Sequence, residues 1–241
     1  MKRVVISQPM FFPWVGLFEQ VRLADVYVHY DDVQFSNGHF VNRVQVKTAQ
    51  GSRWLTVPLK HLHLGQRIDE VRPDDAQPWR QRHLALLAQA YRDATFLPAM
   101  LDLVRRVYEQ PVRTLADLTI ASMEAVCRFL DLAAQTEVLR SSALGVSGTS
   151  TRRVLDIVRH VGGDVYITGH GAKNYLDHEL FEADGIRVEY IDYQRRPYPQ
   201  LHGEFTPSVS ILDLIANMGT DGRGVLVSPT VYWRDFLASP S

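Results

Sequence analysis

Val4-Val5-Ile6 is a short β-branched run halted at Gln8-Pro9, and it predicts the first strand of a buried sheet. From Gly16 to Ala24 the apolar residues fall at Leu17, Phe18, Val21 and Leu23, a spacing that predicts a helix rather than a strand. Asp25 to Tyr30, with Val26, Tyr27 and Val28 at its centre, predicts a second strand. Strand, loop, helix and strand in such close succession form the smallest right-handed crossover of a parallel sheet. The loop Gln8–Gly16 would then follow the carboxyl end of the first strand, and Asp31-Asp32 the carboxyl end of the second. Open α/β sheets bind their ligands at that edge.

Val41–Lys47 and Arg53–Val57 alternate apolar and polar residues around the turn Ala49-Gln50-Gly51-Ser52, the pattern of a β-hairpin, which Pro58 closes. A polar loop with His61, His63 and Gly65 follows. Trp79, Leu84, Leu87, Ala88 and Tyr91 set a helical period from Pro78 to Phe96. Leu97–Tyr108 and Thr114–Leu130 continue it, so a helical block is expected over about 78–142. Gly145–Thr151 is a small-residue linker in which Ser150 or Thr151 would cap a helix running to His160 and ended by Gly162-Gly163. Asp164–Thr168 and Ile186–Tyr190 predict two more strands, separated by the glycine-flanked loop Gly169–Leu176 and a short helix from Glu179 to Ala183. A last helix is predicted over Ser210–Asn217. The expected fold is α/β: a mostly parallel sheet built from both ends of the chain, with an inserted β-hairpin and a central helical block, all within one domain spanning 1–241.

The 241 residues are 46% apolar and 22% charged, an ordinary globular composition. Twenty-six basic residues against 27 acidic ones give a net charge of -1, which offers no electrostatic case for a nucleic-acid partner or an anionic membrane surface. Cys127 is the single cysteine, so an internal disulfide and a thiolate zinc cluster are excluded, in keeping with a cytoplasmic location. No secretory signal and no run of 18 apolar residues occur. The histidines form no His-x-x-x-His pair, and His61/His63 lack a third ligand, so no metal site is expected and no cofactor is named.

Candidate chemistry gathers at the expected sheet edge. Asp31 and Asp32 offer carboxylates that could take a proton from an amine nucleophile or hold a magnesium ion, or could cap the turn and pair with a surface cation. Asn42-Arg43 follows, and an arginine fork suits a carboxylate or phosphate. Gln8 can donate and accept at once, as recognition of sugar hydroxyls requires, or satisfy its own loop. Phe11, Phe12 and Trp14 read as a stacking wall or as local core. In Gly169-His170-Gly171-Ala172-Lys173-Asn174, backbone amides and Lys173 could cradle a phosphate, although the run matches neither a Walker nor a dinucleotide fingerprint. Cys127 falls on the apolar side of its helix and reads as buried.

Taken in order, five motifs resemble the WbqC-like family. They are Ile6-x-Gln8-Pro9-x-x-Phe12-Pro13-Trp14-x-Gly16, Asp31-Asp32-Val33-Gln34-Phe35 with Asn42-Arg43, Trp54-Leu55-Thr56-Val57-Pro58, Gly169-x-Gly171-x-x-x-Tyr175-Leu176, and Tyr198-Pro199-Gln200. The resemblance adds Gln34, Tyr175 and Tyr198 to the substrate-binding candidates. It implies a role in making or decorating an unusual surface sugar. Where the family usually carries Ser-Gly-Pro-Gly, this chain has Thr168-Gly169-His170-Gly171, so His170 is its own addition.

A second, fainter resemblance is to nucleotidyltransferase-like enzymes, including ATP-dependent amide synthetases. Their His-x-Gly-His would fall on Trp14-Val15-Gly16-Leu17, where only the glycine survives. Ser147–Arg153 is similar to the phosphate-contacting loop of that superfamily, and Arg152, Arg153 or Lys173 would take over the polarising role. The expected function is transfer of an acyl or aminoacyl group to an amine, with an activated amino sugar as the expected acceptor. Gln8 and Asn42 would orient the acceptor, Asp31, Asp32 or His170 would serve catalysis, and Arg43 with Lys173 would hold an anionic group. An ATP-dependent amide ligase and a non-catalytic accessory protein of polysaccharide assembly are the alternatives.

Overall fold

A computed structural model describes residues 1–36, 38 and 40–238. The first strand β1 (Arg3–Ser7), helix α1 (Val15–Leu23) and strand β2 (Val26–His29) form the expected crossover, with β1 and β2 parallel and Val4 opposite Val26. The hairpin follows as β3 (Arg43–Thr48) and β4 (Gly51–Thr56). A small antiparallel pair, β5 (Leu59–Lys60) and β6 (Arg72–Pro73), brackets the histidine-bearing loop. The helical block is α2 (Trp79–Ala90), α3 (Leu97–Glu109) and α4 (Leu115–Leu130). α4 starts on a capping box in which Asp117 N–H donates to Thr114 Oγ1 at 3.2 Å and Thr114 N–H donates to Asp117 Oδ2 at 3.1 Å.

The block ends at Leu130, short of the expected boundary. Glu137–Arg140 is a strand, β7, paired in parallel with β2. The remaining elements are α5 (Ser150–His160), β8 (Val165–Thr168), α6 (His178–Ala183), β9 (Arg187–Ile191), α7 (Ile211–Met218), β10 (Thr230–Tyr232) and α8 (Trp233–Ala238). The sheet order is β10-β9-β8-β1-β2-β7, parallel except for β10.

Alternation across the pleat sorts the central strands into two layers. Val5, Tyr27, Val165 and Ile167 face α1 and the helical block, whereas Val4, Ile6, Val26, Val28, Tyr166, Val188 and Tyr190 face α5, α6 and α8. A strand covered on both sides needs no polar residue, which explains the unbroken Val4-Val5-Ile6 run. Gly162 closes α5 at a φ of 69°, and a Cβ on Gly163 would come within 2.4 Å of Val4 Cγ2, so glycine lets α5 lie close on β1. The expected side-chain cap of α5 does not form. Thr149 is the N-cap without a side-chain bond, and Thr151 Oγ1 instead donates to the Tyr175 carbonyl at 3.0 Å. Among the described residues, no helix is long and apolar enough to cross a membrane.

His83 ties the helical block to the hairpin: Nε2–H donates to the Thr56 carbonyl at 3.1 Å, and Nδ1 accepts from the Tyr108 hydroxyl at 2.9 Å. Burial pushes its pKa down to about 4 despite the Thr56 carbonyl, so the folded protein resists a protonation that the unfolded chain accepts near pH 6.5. Stability is therefore full above pH 6.5 and falls as pH drops toward 4, with about 3 kcal/mol of the loss arising from this residue. Urea unfolding at pH 7 and pH 4 measures the decline. In His83→Gln the gap between the two pH values is expected to narrow by that amount.

Candidate functional site

After β1 the chain moves outward to β2 and β7, then returns to the opposite side of β1 for β8 and β9. The loops leaving β1 and β8 therefore diverge, and the carboxyl edge opens into a crevice at the point where the strand order reverses. A cleft of about 1210 Å³ occupies that position. Its walls come from the ends of β1, β2 and β8, from the start of α5, and from Tyr193 and Arg195 beyond β9.

The β1 loop is a fixed scaffold. Phe11 N–H donates to the Val41 carbonyl at 3.0 Å and Phe12 N–H to Ser122 Oγ at 3.1 Å, while the Phe12 carbonyl accepts from Ser210 Oγ at 2.7 Å. These anchors turn the loop at Phe12, whose φ is 40°, and drive both phenylalanines into the core against Tyr108. Phe12 is thus fully buried and does not line the cleft. Trp14 does, with its ring 4.9 Å from that of Tyr193.

Trp14 also explains Gly16. A Cβ at position 16 would come within 2.2 Å of the indole, so only glycine lets the ring fold back over α1. Gly16→Ala is expected to change the near-ultraviolet circular dichroism of the Trp14–Tyr193 pair and to leave the melting temperature unchanged or raised, because alanine favours a helix by about 1 kcal/mol over glycine.

The two aspartates have different fates. Asp31 is completely buried: Ser142 N–H donates to Oδ1 at 3.0 Å and Ser142 Oγ donates to Oδ2 at 2.9 Å, so its carboxylate fixes the turn after β7 and cannot reach the cleft. Asp32 lines the cleft and pairs with Arg153. The side chains of Asp32 and Arg153 are only 13% and 9% exposed. Burial opposes ionisation of Asp32, but hydrogen bonds from Arg153 and Ser141 outweigh it and hold the carboxyl below its usual range. A carboxylate so held is a poor proton acceptor at neutral pH and a good clamp for Arg153. Arg153 further donates through Nε to the Val146 carbonyl at 3.1 Å and lies 5.0 Å over the Tyr30 ring.

Arg153 belongs to the first turn of α5, where no side chain caps the helix, so amide groups and the positive end of the helix dipole are left open. Ser150, at the head of that turn, has a φ of 53°, a strained value for a residue other than glycine. Across the cleft His170 donates Nε2–H to the Ile191 carbonyl at 2.9 Å, which leaves Nδ1 as the basic nitrogen of the neutral ring. The His170 ring stands 5.0 Å from that of Tyr193. Gly169 permits the close approach, since a Cβ there would sit 3.1 Å from both Gln20 Nε2 and Tyr193 Oη. Asp32, Arg67, Arg153 and Arg195 line the cleft; Arg153 is paired with Asp32, and Arg67 with Asp69 at 3.0 Å and Glu70 at 3.4 Å, so the surplus positive charge of the cleft comes chiefly from Arg195.

Of the residues expected from sequence, Gln8, Trp14, Asp32, Gln34, Gly169, His170, Gly171 and Tyr175 line the cleft. Others lie outside it. Asn42 is buried and donates to the Val57 carbonyl at 2.9 Å, locking the hairpin. The Arg43 guanidinium binds the Gly38 carbonyl and stacks 4.3 Å over Trp54. Lys173 and Asn174 are exposed beyond the rim, and Tyr198 is buried behind Trp14, bonded to Gln200. Arg43 and Lys173, expected to hold an anionic group, therefore do not line the cleft, whereas Arg153 does. Gln20, Tyr30, Arg67, Tyr193 and Arg195 were not anticipated. Tyr193 follows the carboxyl end of β9, so the rule that singled out Asp31-Asp32 applied to it equally. Among the described residues no group of three or more His, Cys, Asp or Glu side chains is placed to hold a metal ion.

No solved structure matches the chain. Uncharacterized protein Rv1507c of Mycobacterium tuberculosis is 32% identical over 231 residues, covering 94% of this chain and 98% of that protein. The model of the WbqC-like protein family matches residues 8–224, a span that begins at the Gln8 of the cleft and takes in all of its lining residues except Ile6 and Ser7. The chain belongs to the WbqC-like protein family.

Proposed function

We propose that the cleft transfers an acyl or aminoacyl group to the amine of a phosphate-bearing, activated amino sugar, in the making of an unusual surface carbohydrate. The observation that carries this reading is the pairing, across one cleft, of a histidine with a held tautomer and an arginine at an open helix N-terminus. Arg153 and the first-turn amides of α5 bind the phosphate. Trp14 and Tyr193 give the ring a stacking surface, and Gln8 and Gln34 meet its hydroxyls. The amine lone pair forms the new C–N bond to the carbonyl carbon of the acyl donor, and the bond to the donor's leaving heteroatom breaks with its electron pair. One nitrogen proton passes to His170 Nδ1 and from there to the leaving group. Asp32 takes no proton; it positions Arg153.

The test is to incubate the protein with nucleotide-linked amino sugars and acyl or aminoacyl thioesters. The expected result is a sugar product heavier by one acyl group, with loss of the free amine. Failure of every such sugar to bind, or a bound sugar lying outside the cleft in a crystal, overturns the reading. An ATP-dependent amide ligase is the second reading, favoured by the Gly148–Arg153 turn at the head of α5. It requires AMP or ADP to accumulate in step with product.

A further inference from the structure

Beside His170 on the cleft wall lies a hydrogen-bonded pair whose polar atoms the proposed reaction does not use, the Gln20 amide of α1 and the Tyr193 hydroxyl. Gln20 is only 7% exposed, yet it lines the cleft. Its Nε2–H donates to Tyr193 Oη, and the bond between them is only partly buried. Among the described residues Gln20 Oε1 has no partner and the Tyr193 O–H has no acceptor, and Oε1 is open to solvent. Buried polar side chains are ordinarily matched in full, so the half-matched amide points to a partner that arrives with substrate. The pair thus presents one hydrogen-bond donor and one acceptor to the cleft. Turning the amide over, so that Tyr193 O–H donates to Oε1, frees an amide N–H and the phenolic lone pair instead and keeps that count.

The surroundings suit the pair to a carbonyl group that gains negative charge. Burial pushes the Tyr193 pKa up to about 12, with the Gln20 bond tempering the rise, so the hydroxyl keeps its proton at neutral pH. Arg195, two residues on, adds positive charge near that hydroxyl. The His170 ring, whose Nδ1 is the basic nitrogen, stands 5.0 Å from the Tyr193 ring, so base and pair can serve one reacting centre. The backbone beside Tyr193 is held as well: Gln194 N–H donates to Ser228 Oγ at 2.9 Å, and Ser228 Oγ donates to the buried Glu19 carboxylate at 2.7 Å. A donor fixed in advance in this way needs no rearrangement at the moment of reaction.

We infer that Gln20 and Tyr193 are catalytic residues that clamp the forming amide: the donor of the pair binds the acyl carbonyl oxygen as it becomes an oxyanion, and the acceptor takes one N–H of the attacking amine. This rests on the amide-forming reading and adds the groups that stabilise its transition state. As the amine lone pair closes on the carbonyl carbon, the π pair of the C=O bond moves onto oxygen, where the Tyr193 O–H meets it. The N–H bound by Gln20 stays on nitrogen and becomes the amide hydrogen, while the other nitrogen proton passes to His170 Nδ1. When the oxyanion re-forms the carbonyl, the leaving heteroatom departs with its bonding pair and takes that proton from His170.

The test replaces both members by apolar residues of similar shape, Gln20→Met together with Tyr193→Phe. Removing both partners of a hydrogen bond at once is close to neutral for stability, so the double variant should unfold in urea near the midpoint of the unaltered protein. Turnover is measured with the nucleotide-linked amino sugar and acyl thioester that the unaltered protein joins fastest. kcat is expected to fall about a hundred- to a thousandfold, the worth of an oxyanion donor, with KM for both substrates little changed. Tyr193→Phe alone keeps the ring against Trp14 and His170 and leaves the amide as a partial substitute, so its loss should be smaller, about tenfold. If the double variant does not fold, the single variant decides. Product from the unaltered protein with turnover of the folded variant within a few-fold of it, or a loss carried by KM instead of kcat, overturns this inference and leaves the acyl-transfer reading standing. No product from any sugar and thioester overturns both.

Discussion

His170→Gln is expected to lower turnover by roughly a hundred- to ten-thousandfold, the range associated with a positioned general base, while the protein stays folded. Glutamine is the informative replacement because its Nε2 can keep donating to the Ile191 carbonyl, as the imidazole does at 2.9 Å. The ring contacts with Tyr193 and Phe236 are reduced, but the anchor survives. What disappears is the basic Nδ1. The drop belongs in kcat, with substrate affinity little changed, since the proposed phosphate contact is with Arg153, on the opposite wall of the cleft. Turnover within a few-fold of the unaltered protein would remove His170 from the chemistry and leave it as a packing residue of the β8–β9 edge.

Arg153→Met is expected to do two things that can be separated. It removes the cation from the open end of α5, so affinity for a phosphorylated ligand falls by roughly tenfold or more. It also strands the Asp32 carboxylate, whose side chain is only 13% exposed, at a cost of about 3 kcal/mol in stability. Adding Asp32→Asn to Arg153→Met takes away the unpaired charge. The double variant should regain most of its stability in urea unfolding while its ligand affinity stays low. If affinity returned together with stability, Arg153 would be a structural partner of Asp32 and the phosphate would be bound elsewhere.

Much of the fold was legible because both-face burial writes itself as unbroken runs of β-branched and aromatic residues, as in β1 and β8, and because α3 carries a one-sided apolar stripe. β7 escaped notice for the opposite reason. Glu137-Val138-Leu139-Arg140 is a four-residue edge strand with Val138 39% exposed, too short and too mixed to separate from the end of a helical segment. β10 and α8 are likewise brief and half-exposed. The site was readable at the level of loops rather than atoms. Sequence placed two aspartates at the end of β2, but neighbours on extended backbone point to opposite sides, and only the positions of Ser142 and Arg153 decide which one meets the cleft. In the same way Phe12 and Trp14 sit two residues apart in one motif. The turn at Phe12 and its anchors to α4 and α7 send one ring inward and leave the other at the cleft. Gln20 was hidden because a polar residue on a helix normally reads as solvent-facing, whereas here it is 7% exposed and donates to the Tyr193 hydroxyl.

The reversal of strand order has a consequence for how the chain is made. β1 is made well before its neighbour β8, which follows only after about 160 further residues. At roughly 5–20 residues per second, one edge of the central strand stays bare for about 8 to 32 s of synthesis. Val4, Val5 and Ile6 are wholly or almost wholly buried in the finished protein and form the kind of apolar edge that recruits other chains. The length of that exposure is set by the hairpin and helices inserted between β2 and β7, not by the stability of the completed sheet.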